Sequence, residues 1–311
     1  IVVTDTFQTV SMLTAVTLTV IAIINGLDTN ISGLFGLISN QGYDQIFYFD
    51  NGWNDPNNFF KQFISGALIA VVMTGLDQDM MQKNLTCRSL KDAQKNVLVF
   101  SIILIFANLL FLTLGASLYI YAESLGVSIP QSRDQLYPMI ALEHLSPAVG
   151  IVFILGLIAA AYSSADSALT SLTTSFCVDF LGLQNEEDVD KSKNTRLWVH
   201  VGFSVIILLI IVIFNQFNDD SVINKIFTAA TYTYGPILGL FVFAIATDRQ
   251  ATDKLVLPIC LAAPILCYII NQTSSQYLGG FQWGYMILAL NGFLTFLGLY
   301  IFSTKTYPIG R

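Results

Sequence analysis

The chain has 311 residues, of which 54% are hydrophobic and only 11% are charged, and its formal net charge is −7. A soluble domain carries roughly 25% charged residues, so this composition excludes a soluble enzyme and a disordered chain. The negative charge argues against nucleic acid, which binds basic patches. An all-α polytopic membrane protein remains, because the apolar runs are long and unbroken, whereas a β-barrel shows alternating segments of about ten residues.

Eight apolar segments are long enough to cross a membrane, for which a helix needs about 20 residues. In chain order they are 5–26, 59–82, 96–122, 147–176, 197–214, 223–246, 255–271 and 283–302. The stretch 28–58 is too polar to span and too aromatic for a plain linker. It therefore predicts short helices at the membrane interface, and the stretch 123–146 is similar.

The basic residues predict the orientation. Most of the 14 Lys and Arg residues fall in the loops 83–95, 191–196 and 249–254 and in the tail from residue 305. The opposite side holds only Lys61, Arg133 and Lys225. Because basic loops stay in the cytoplasm, the first set of loops and both chain ends are predicted to be cytoplasmic. A bacterial inner membrane is the expected location.

The fourth segment carries a polar stripe. At about 100° per residue, small residues and hydroxyls share one face, while the opposite face is apolar. Asp166 borders the polar face on one side and Ser164 on the other. The face itself comprises Ala160, Ser163, Ser167, Thr170, Ser171 and Thr174.

Two interpretations of this stripe stay open. Small residues and hydroxyls are the usual contacts between closely packed membrane helices. A carboxylate near a helix centre, however, costs about 2.5–3.5 kcal/mol on insertion scales and marks a functional candidate. Asp166 beside hydroxyls offers hard oxygen ligands, which suit Na⁺ or a proton. Asp5 of the first segment is predicted at a similar depth, and its alternative is a solvated residue that favours a helix N-terminus.

Two other segments contain residues that interrupt an apolar helix. Asp77 and Asp79 lie near the end of the second segment, before a basic loop, which favours an interfacial pair with Lys83 or Arg88. Pro236 removes a backbone donor and kinks the sixth segment. Either the freed carbonyls and neighbouring tyrosines such as Tyr232 line a binding cavity, as discontinuous transporter helices do, or the kink serves packing alone.

Four stretches resemble the sodium:solute symporter family, which includes sodium–glucose, proline and sialic acid transporters. They are Val3–Val10, Gly75–Leu85, Ser89–Lys95 and Asp134–Leu181, the last with Tyr137-Pro138, Ser163-Ser164-Ala165-Asp166-Ser167 and Cys177-Val178-Asp179-Phe180. The resemblance implies a five-plus-five inverted-repeat fold of the LeuT type within one transmembrane domain, 1–311. It is expected to be incomplete, with the first four core helices upstream. Residues 1–26 would end the first repeat, 59–246 would form the second, and 255–302 would add two peripheral helices.

The resemblance also implies the ion ligands. The main sodium site would take the carbonyl of Ala160 and the hydroxyls of Ser163 and Ser164, with its other half from the absent first core helix. A second sodium site, nearer the cytoplasm, would use Asp5, Ser163, Asp166 and Ser167. Asp166 departs from the serine of the sialic acid transporter, and its carboxylate would tighten a second sodium or admit a proton.

The family's sugar-binding pattern is not kept. Its asparagine and tyrosine fall at Ala70 and Met73, its lysine at Leu104, and its glutamine near Thr228. A hexose needs many paired donors and acceptors, so hexose transport is not expected. Met73, Thr228 and Tyr232 are the residues expected to contact the substrate.

The predicted function is sodium-coupled symport of a small polar organic solute across the cytoplasmic membrane. The expected partners are the solute, Na⁺, the lipid bilayer and the missing N-terminal helices. The alternative is a transporter-like sensor or partner-binding membrane protein without transport. An enzyme is not expected, because the helices show no nucleophile–base pair and no metal cluster.

Overall fold

The structure is a computed structural model that describes residues 2–50, 52–183, 189–216 and 222–305. Within these ranges the chain is almost entirely helical. The helices are α1 Val2–Gly26, α2 Ile31–Asn40, α3 Phe59–Gly75, α4 Gln78–Leu85, α5 Leu90–Ser124, α6 Leu136–Met139, α7 Pro147–Ser175, α8 Val189–Gln216, α9 Val222–Ala246, α10 Asp253–Tyr277 and α11 Ile287–Ile301. Two-residue strands, β1 Arg249–Gln250 and β2 Thr304–Lys305, pair antiparallel. The tail after Lys305, used in predicting orientation, lies outside the described residues.

All eight predicted membrane segments are confirmed as helices. The described residues contain eight helices that are long and apolar enough to cross a membrane. Short helices also occur in the two polar stretches, where α2 lies in the aromatic stretch and short helical turns occupy Arg133–Gln135 and Ile140–His144; their place at the membrane interface stays a prediction. The chain is therefore a multi-pass membrane protein.

The predicted end of the second segment is wrong. Instead of a continuous helix to residue 82, α3 ends at Gly75 and a separate short helix, α4, begins at Gln78. Glycine is a poor helix former, and the Asp77 carbonyl accepts the first bond of α4 from the Met81 amide at 2.9 Å. Aspartate is favoured at a helix start, so the acid that the hydropathy pattern included in one helix opens the next.

The chain divides into two compact units. The first comprises Ile1–Asp44 and Gln82–Ser221, and the second comprises Gln45–Met81 and Val222–Arg311. In the first unit, the apolar core joins α1, α2, α5 and the segment around α6, with Val16, Ile23, Leu34, Leu118 and Ile140 among its buried members.

A hydrogen bond fixes the turn of α6 to α1. The hydroxyls of Tyr137 and Thr19 lie 2.9 Å apart, and the Tyr137 ring packs on Phe153 with centroids at 4.6 Å. Burial raises the pKa of Tyr137, so its hydroxyl remains protonated at neutral pH. The contact anchors the turn before α7 to the middle of α1.

Helices α1 and α7 approach closely at Gly156. A Cβ added there would lie 3.1 Å from the Cβ of Ala15 and 3.4 Å from the Ser11 carbonyl oxygen. Ser163 lies about two turns further along α7, and Asp5 lies about as far back along α1. The antiparallel contact therefore brings these two residues to the same level.

In the second unit, α9 and α11 make the tightest contact. A Cβ on Gly239 of α9 would lie 2.5 Å from the Cβ of Thr295 and 2.6 Å from the Gly292 carbonyl oxygen. Val72 of α3, Leu238 and Leu288 form a small buried cluster beside this contact. Small residues thus let the two helices approach with little space between their backbones.

Candidate cation site

The polar stripe of α7 is turned into the protein. Ser163, Ser167 and Ser171 are only 4%, 6% and 6% exposed, and their four-residue spacing places them one above another on a helix. The side chains of Leu157 and Tyr162, on other faces, are exposed. The three serines of the predicted polar face are therefore buried, whereas Thr174, at its far end, is exposed.

The carboxylate of Asp5 lies against this face. One of its oxygens accepts a hydrogen bond from the Ser163 hydroxyl. Its other oxygen lies 3.1 Å from the Lys83 ammonium, which also donates to the Ser167 hydroxyl at 3.4 Å. We call Asp5, Ser163, Ser167 and Lys83 the Asp5 cluster. It unites three residues of the predicted second sodium site with a lysine that was not predicted there.

Lys83 reaches the Asp5 cluster from α4, far along the chain from Asp5. The sequence contains one usable signal: Lys83 is the first basic residue after the second segment, at the cytoplasmic depth predicted for Asp5. The sequence pattern also offers Asp77 as a partner of this lysine or of Arg88. In the structure Asp77 accepts a hydrogen bond from the Tyr234 hydroxyl at 2.9 Å.

The other predicted ligands lie beside the Asp5 cluster. Asp166 is half-buried, and its carboxylate makes no hydrogen bond or ion pair with another residue in the described ranges. Ala160 is half-buried and Ser164 is exposed. The structure thus brings Asp5, Ser163 and Ser167 together but does not join Asp166 to them, and the roles of Ala160, Ser164 and Asp166 stay predictions.

A cavity of about 570 Å³ opens beside Ser163. Its walls come from α1 and α7 and are mostly apolar. They are formed by Phe7, Gln8, Ser11, Leu155, Ile158, Ala159, Tyr162 and Ser163. The Ser163 side chain therefore lines this cavity and contacts Asp5, at the boundary between the predicted main site and the predicted second site.

The ligand chemistry favours a small hard cation. The Asp5 cluster offers one carboxylate and two hydroxyls, and oxygen donors suit hard ions. No group of three or more His, Cys, Asp or Glu side chains that could hold a metal occurs among the described residues. Asp5 and Lys83 have side chains that are only 27% and 32% exposed, so their charges are partly shielded from solvent screening.

Charge limits what else the Asp5 cluster can hold. The carboxylate and the ammonium already balance. Two positive charges 4 Å apart repel by about 4 kcal/mol at an effective dielectric constant of about 20. A sodium ion would therefore bind poorly at Asp5 while the Lys83 ammonium stays in place.

The predicted substrate residues all lie in the second unit. Met73 of α3 is half-buried, and Thr228 of α9 is exposed, with its hydroxyl donating to the Asn224 carbonyl at 2.7 Å. The hydroxyl of Tyr232 instead accepts a hydrogen bond from the Asn271 amide of α10 at 3.1 Å. The polar end of Tyr232 is thus engaged with a helix predicted to be peripheral, and the substrate roles of all three residues stay predictions.

Helix α9 continues through Pro236, and α11 supports the backbone before this residue. Proline lacks the N–H that the carbonyl four residues earlier, that of Tyr232, would accept. Asn291 supplies the missing donor: its amide nitrogen lies 2.9 Å from the Tyr232 carbonyl oxygen and 3.2 Å from that of Thr231. Gly235 leaves room for it, because a Cβ there would collide with the Asn291 side chain. Because these two carbonyls already have a donor from α11, the contacts favour packing over a binding cavity as the role of Pro236.

This support predicts a thermodynamic coupling. Asn291→Ala is expected to destabilise the protein by about 1–3 kcal/mol, because it leaves the Tyr232 carbonyl without a donor. In a Pro236→Ala background the loss should be smaller, since alanine restores the helical N–H to the Tyr232 carbonyl. Thermal unfolding of the wild type, both single variants and the double variant measures the coupling free energy. Additive losses would contradict the role assigned to Asn291.

Comparison with known proteins relates the chain to a transporter family and to a solved structure. A sequence model of the sodium:solute symporter family matches residues 1–253. Among solved structures, the chain is similar to a Na⁺-coupled sialic acid symporter, solved in a substrate-bound outward-open state with a novel Na⁺ site. The TM-score is 0.74 and the identity 16%, with 97% of this chain and 63% of that chain covered. No curated protein matches the chain significantly.

At this identity the structural similarity concerns the fold alone. The predicted fold class, an all-α membrane protein of the LeuT type, is confirmed. The division into repeats stays a prediction. The chain spans less than two thirds of the symporter chain that it resembles.

Proposed function

The chain belongs to the sodium:solute symporter family, and from this premise we propose that the protein couples the entry of sodium to the uptake of a small polar organic solute across a bacterial cytoplasmic membrane. One observation carries the proposal beyond family membership. A carboxylate of α1 and buried hydroxyls of α7 meet inside a membrane protein, at Asp5, Ser163 and Ser167. Charged groups in such segments are rare and mark ion pathways.

The proposed main site consists of the Ala160 carbonyl and the hydroxyls of Ser163 and Ser164. Ser163 lines the cavity between α1 and α7, and Ser164 is exposed on the next position of the helix, so ligand oxygens are accessible from that side. Sodium held there would fix α7 relative to α1. By linkage, sodium and solute each raise the affinity for the other by the same factor.

The Asp5 cluster is the proposed second sodium site, nearer the cytoplasm. On the predicted orientation α1 runs outward and α7 inward, with both chain ends cytoplasmic, so Asp5 and Ser167 lie on the inner side of Ser164. Sodium leaving the main site would meet the Asp5 carboxylate next. Asp166, half-buried one residue before Ser167, is proposed to hold a second sodium or a proton during this exit.

The substrate site is proposed in the second repeat, residues 59–246, with residues 1–26 ending the first repeat and 255–302 forming peripheral helices. Met73, Thr228 and Tyr232 are its proposed contacts. Apolar Met73 offers no hydrogen-bonding hydroxyl, and the Thr228 hydroxyl already donates to the Asn224 carbonyl, so among the three only the Tyr232 hydroxyl keeps a free hydrogen for a polyhydroxylated sugar. A smaller solute with a single charged or polar end fits this arrangement better than a hexose.

Uptake measurements test the proposal. The whole protein in liposomes is screened with amino acids, organic acids and sugars under an inward gradient of sodium chloride or of choline chloride. We expect uptake of one solute class that depends on sodium. Ser164→Ala should raise the sodium concentration for half-maximal uptake at least about tenfold, the effect of roughly 1.4 kcal/mol.

A matched variant controls for general damage to α7. Ser175→Ala removes a hydroxyl from the last position of the same helix, outside the proposed sites, and should leave the sodium dependence unchanged. Equal uptake in choline and sodium, together with an unaltered Ser164→Ala variant, would contradict sodium coupling.

A further inference from the structure

We propose that the Lys83 ammonium is a tethered competitor of sodium at the Asp5 cluster, so that sodium binds there only while Lys83 is displaced and Lys83 returns as sodium leaves. This inference rests on the proposed sodium coupling and adds a residue with a defined role to it. Lys83 would thereby set the affinity of the Asp5 cluster for sodium and the direction in which sodium leaves it.

The contacts of Lys83 carry the inference. Its ammonium lies 3.1 Å from one oxygen of Asp5 and 3.4 Å from the Ser167 hydroxyl oxygen. These are oxygens that the family resemblance assigns to a sodium ion. The ammonium therefore occupies the position of a monovalent cation, with the same neighbours and the same charge.

Charge balance makes the two cations alternatives. Asp5 is the only carboxylate among the four members of the Asp5 cluster, and one ammonium neutralises it. The remaining ligands, Ser163 and Ser167, are neutral hydroxyls. Asp166 makes no ion pair within the described ranges. A second monovalent cation would therefore lack a counter-charge within the Asp5 cluster.

The chemistry of lysine suits a removable cation. Its ammonium is a compact, strongly hydrated point charge on a flexible stem, and about a third of the Lys83 side chain is exposed. Lys83 lies in the last turn of α4, a helix of only eight residues that is separated from α3 by Leu76 and Asp77. Displacement thus requires only that the side chain turn towards solvent, without unfolding a long helix.

The exchange has a consequence for transport. As sodium departs from Asp5, the returning ammonium neutralises the carboxylate and opposes rebinding of sodium from the cytoplasmic side. The partly buried carboxylate then keeps a positive partner, and the loss of that partner is the costly state for such a group. Lys83 therefore favours the release of sodium and a site that is ready for the next cycle.

Binding of radioactive sodium to the purified whole protein tests this competition. Lys83→Met removes the charge and keeps the length of the side chain, and Lys83→Gln is measured beside it because it can still donate to Asp5. Both variants are expected to bind sodium at the Asp5 cluster at least about tenfold more tightly than the wild type. Lys83→Arg retains the positive charge and is expected to show no such gain.

Two controls locate the effect. Lys91→Met removes another basic side chain, an exposed one in the first turn of α5, and should leave sodium affinity unchanged. In an Asp5→Asn background, Lys83→Met should give no gain, because the competed carboxylate is absent.

The outcomes separate this inference from the proposed function. Sodium binding by the wild type that is unchanged or weakened in both Lys83→Met and Lys83→Gln would overturn competition and leave sodium coupling standing. Binding that appears only in the two neutral variants would support competition in its strongest form. Absence of sodium binding in the wild type and in every variant would overturn both the competition by Lys83 and the proposed sodium coupling.

Discussion

Asp5→Asn is expected to raise the sodium concentration for half-maximal uptake by about tenfold to a hundredfold. Asparagine keeps the shape of the side chain and can still accept a hydrogen bond from Ser163, but it carries no charge. Interactions with a charged group contribute roughly 1.5–3 kcal/mol, and each 1.4 kcal/mol corresponds to a factor of about ten. The variant also leaves the Lys83 ammonium without its ion pair to Asp5.

The measurement is the sodium concentration for half-maximal uptake in liposomes. Asp92→Asn is the matched control, because Asp92 is an exposed acid that accepts a hydrogen bond from the Ser89 hydroxyl at the start of α5. It is expected to keep the wild-type sodium dependence. Identical sodium dependence of Asp5→Asn and Asp92→Asn would show that the Asp5 carboxylate has no part in coupling.

Gly239→Leu is expected to prevent stable packing of α9 against α11. The new Cβ would lie 2.5 Å from the Thr295 Cβ and 2.6 Å from the Gly292 carbonyl oxygen. One of these neighbours is backbone, so rotation of a side chain cannot relieve the collision. Overpacking a core costs about 1–3 kcal/mol and occasionally more, and we expect the upper end of this range because the whole leucine side chain must be accommodated.

Thermal unfolding monitored by size-exclusion chromatography measures this loss. Gly66→Leu in α3 is the matched control, because nothing described lies within 4 Å of a Cβ added at Gly66. It should unfold near the wild-type temperature. Equal unfolding temperatures for the two variants would contradict the close approach of α9 and α11.

Local patterns were sufficient to predict the membrane helices and one buried face. Each span is determined by its own apolar residues, so the eight segments could be found without knowing their neighbours. Likewise the helical period alone placed Ser163, Ser167 and Ser171 on one face, which the structure shows to be buried. Such properties belong to a single helix and need no tertiary information.

Properties that depend on pairs of distant residues were not available in this way. The break between α3 and α4 follows from the competition between helix continuation and the favourable start at Asp77, which mean hydropathy does not register. Asn291 is one polar residue in an apolar helix, and only the packing of α11 on α9 brings it to the carbonyl that Pro236 leaves without a donor. The strand pair β1–β2 joins the ends of α9 and α11 through residues without any strand pattern.

The Asp5 cluster shows the same limit. The resemblance to the family grouped Asp5, Ser163 and Ser167, and the structure places them in contact. Asp166 was singled out by its polarity, but it lies about 60° around α7 from Ser163 and has no bonded partner within the described ranges. Several acids lie near Lys83 in the sequence, whereas its ion pair with Asp5 of α1 joins residues far apart in the chain and depends on tertiary packing.

The most direct test of the account is sodium binding itself, measured with radioactive sodium on the purified whole protein without any solute. We predict saturable binding by the wild type, and binding at least about tenfold weaker in Ser164→Ala and in Asp5→Asn. Saturable binding of the same affinity and stoichiometry in all three proteins would contradict the central claim that α1 and α7 together hold the coupling ion.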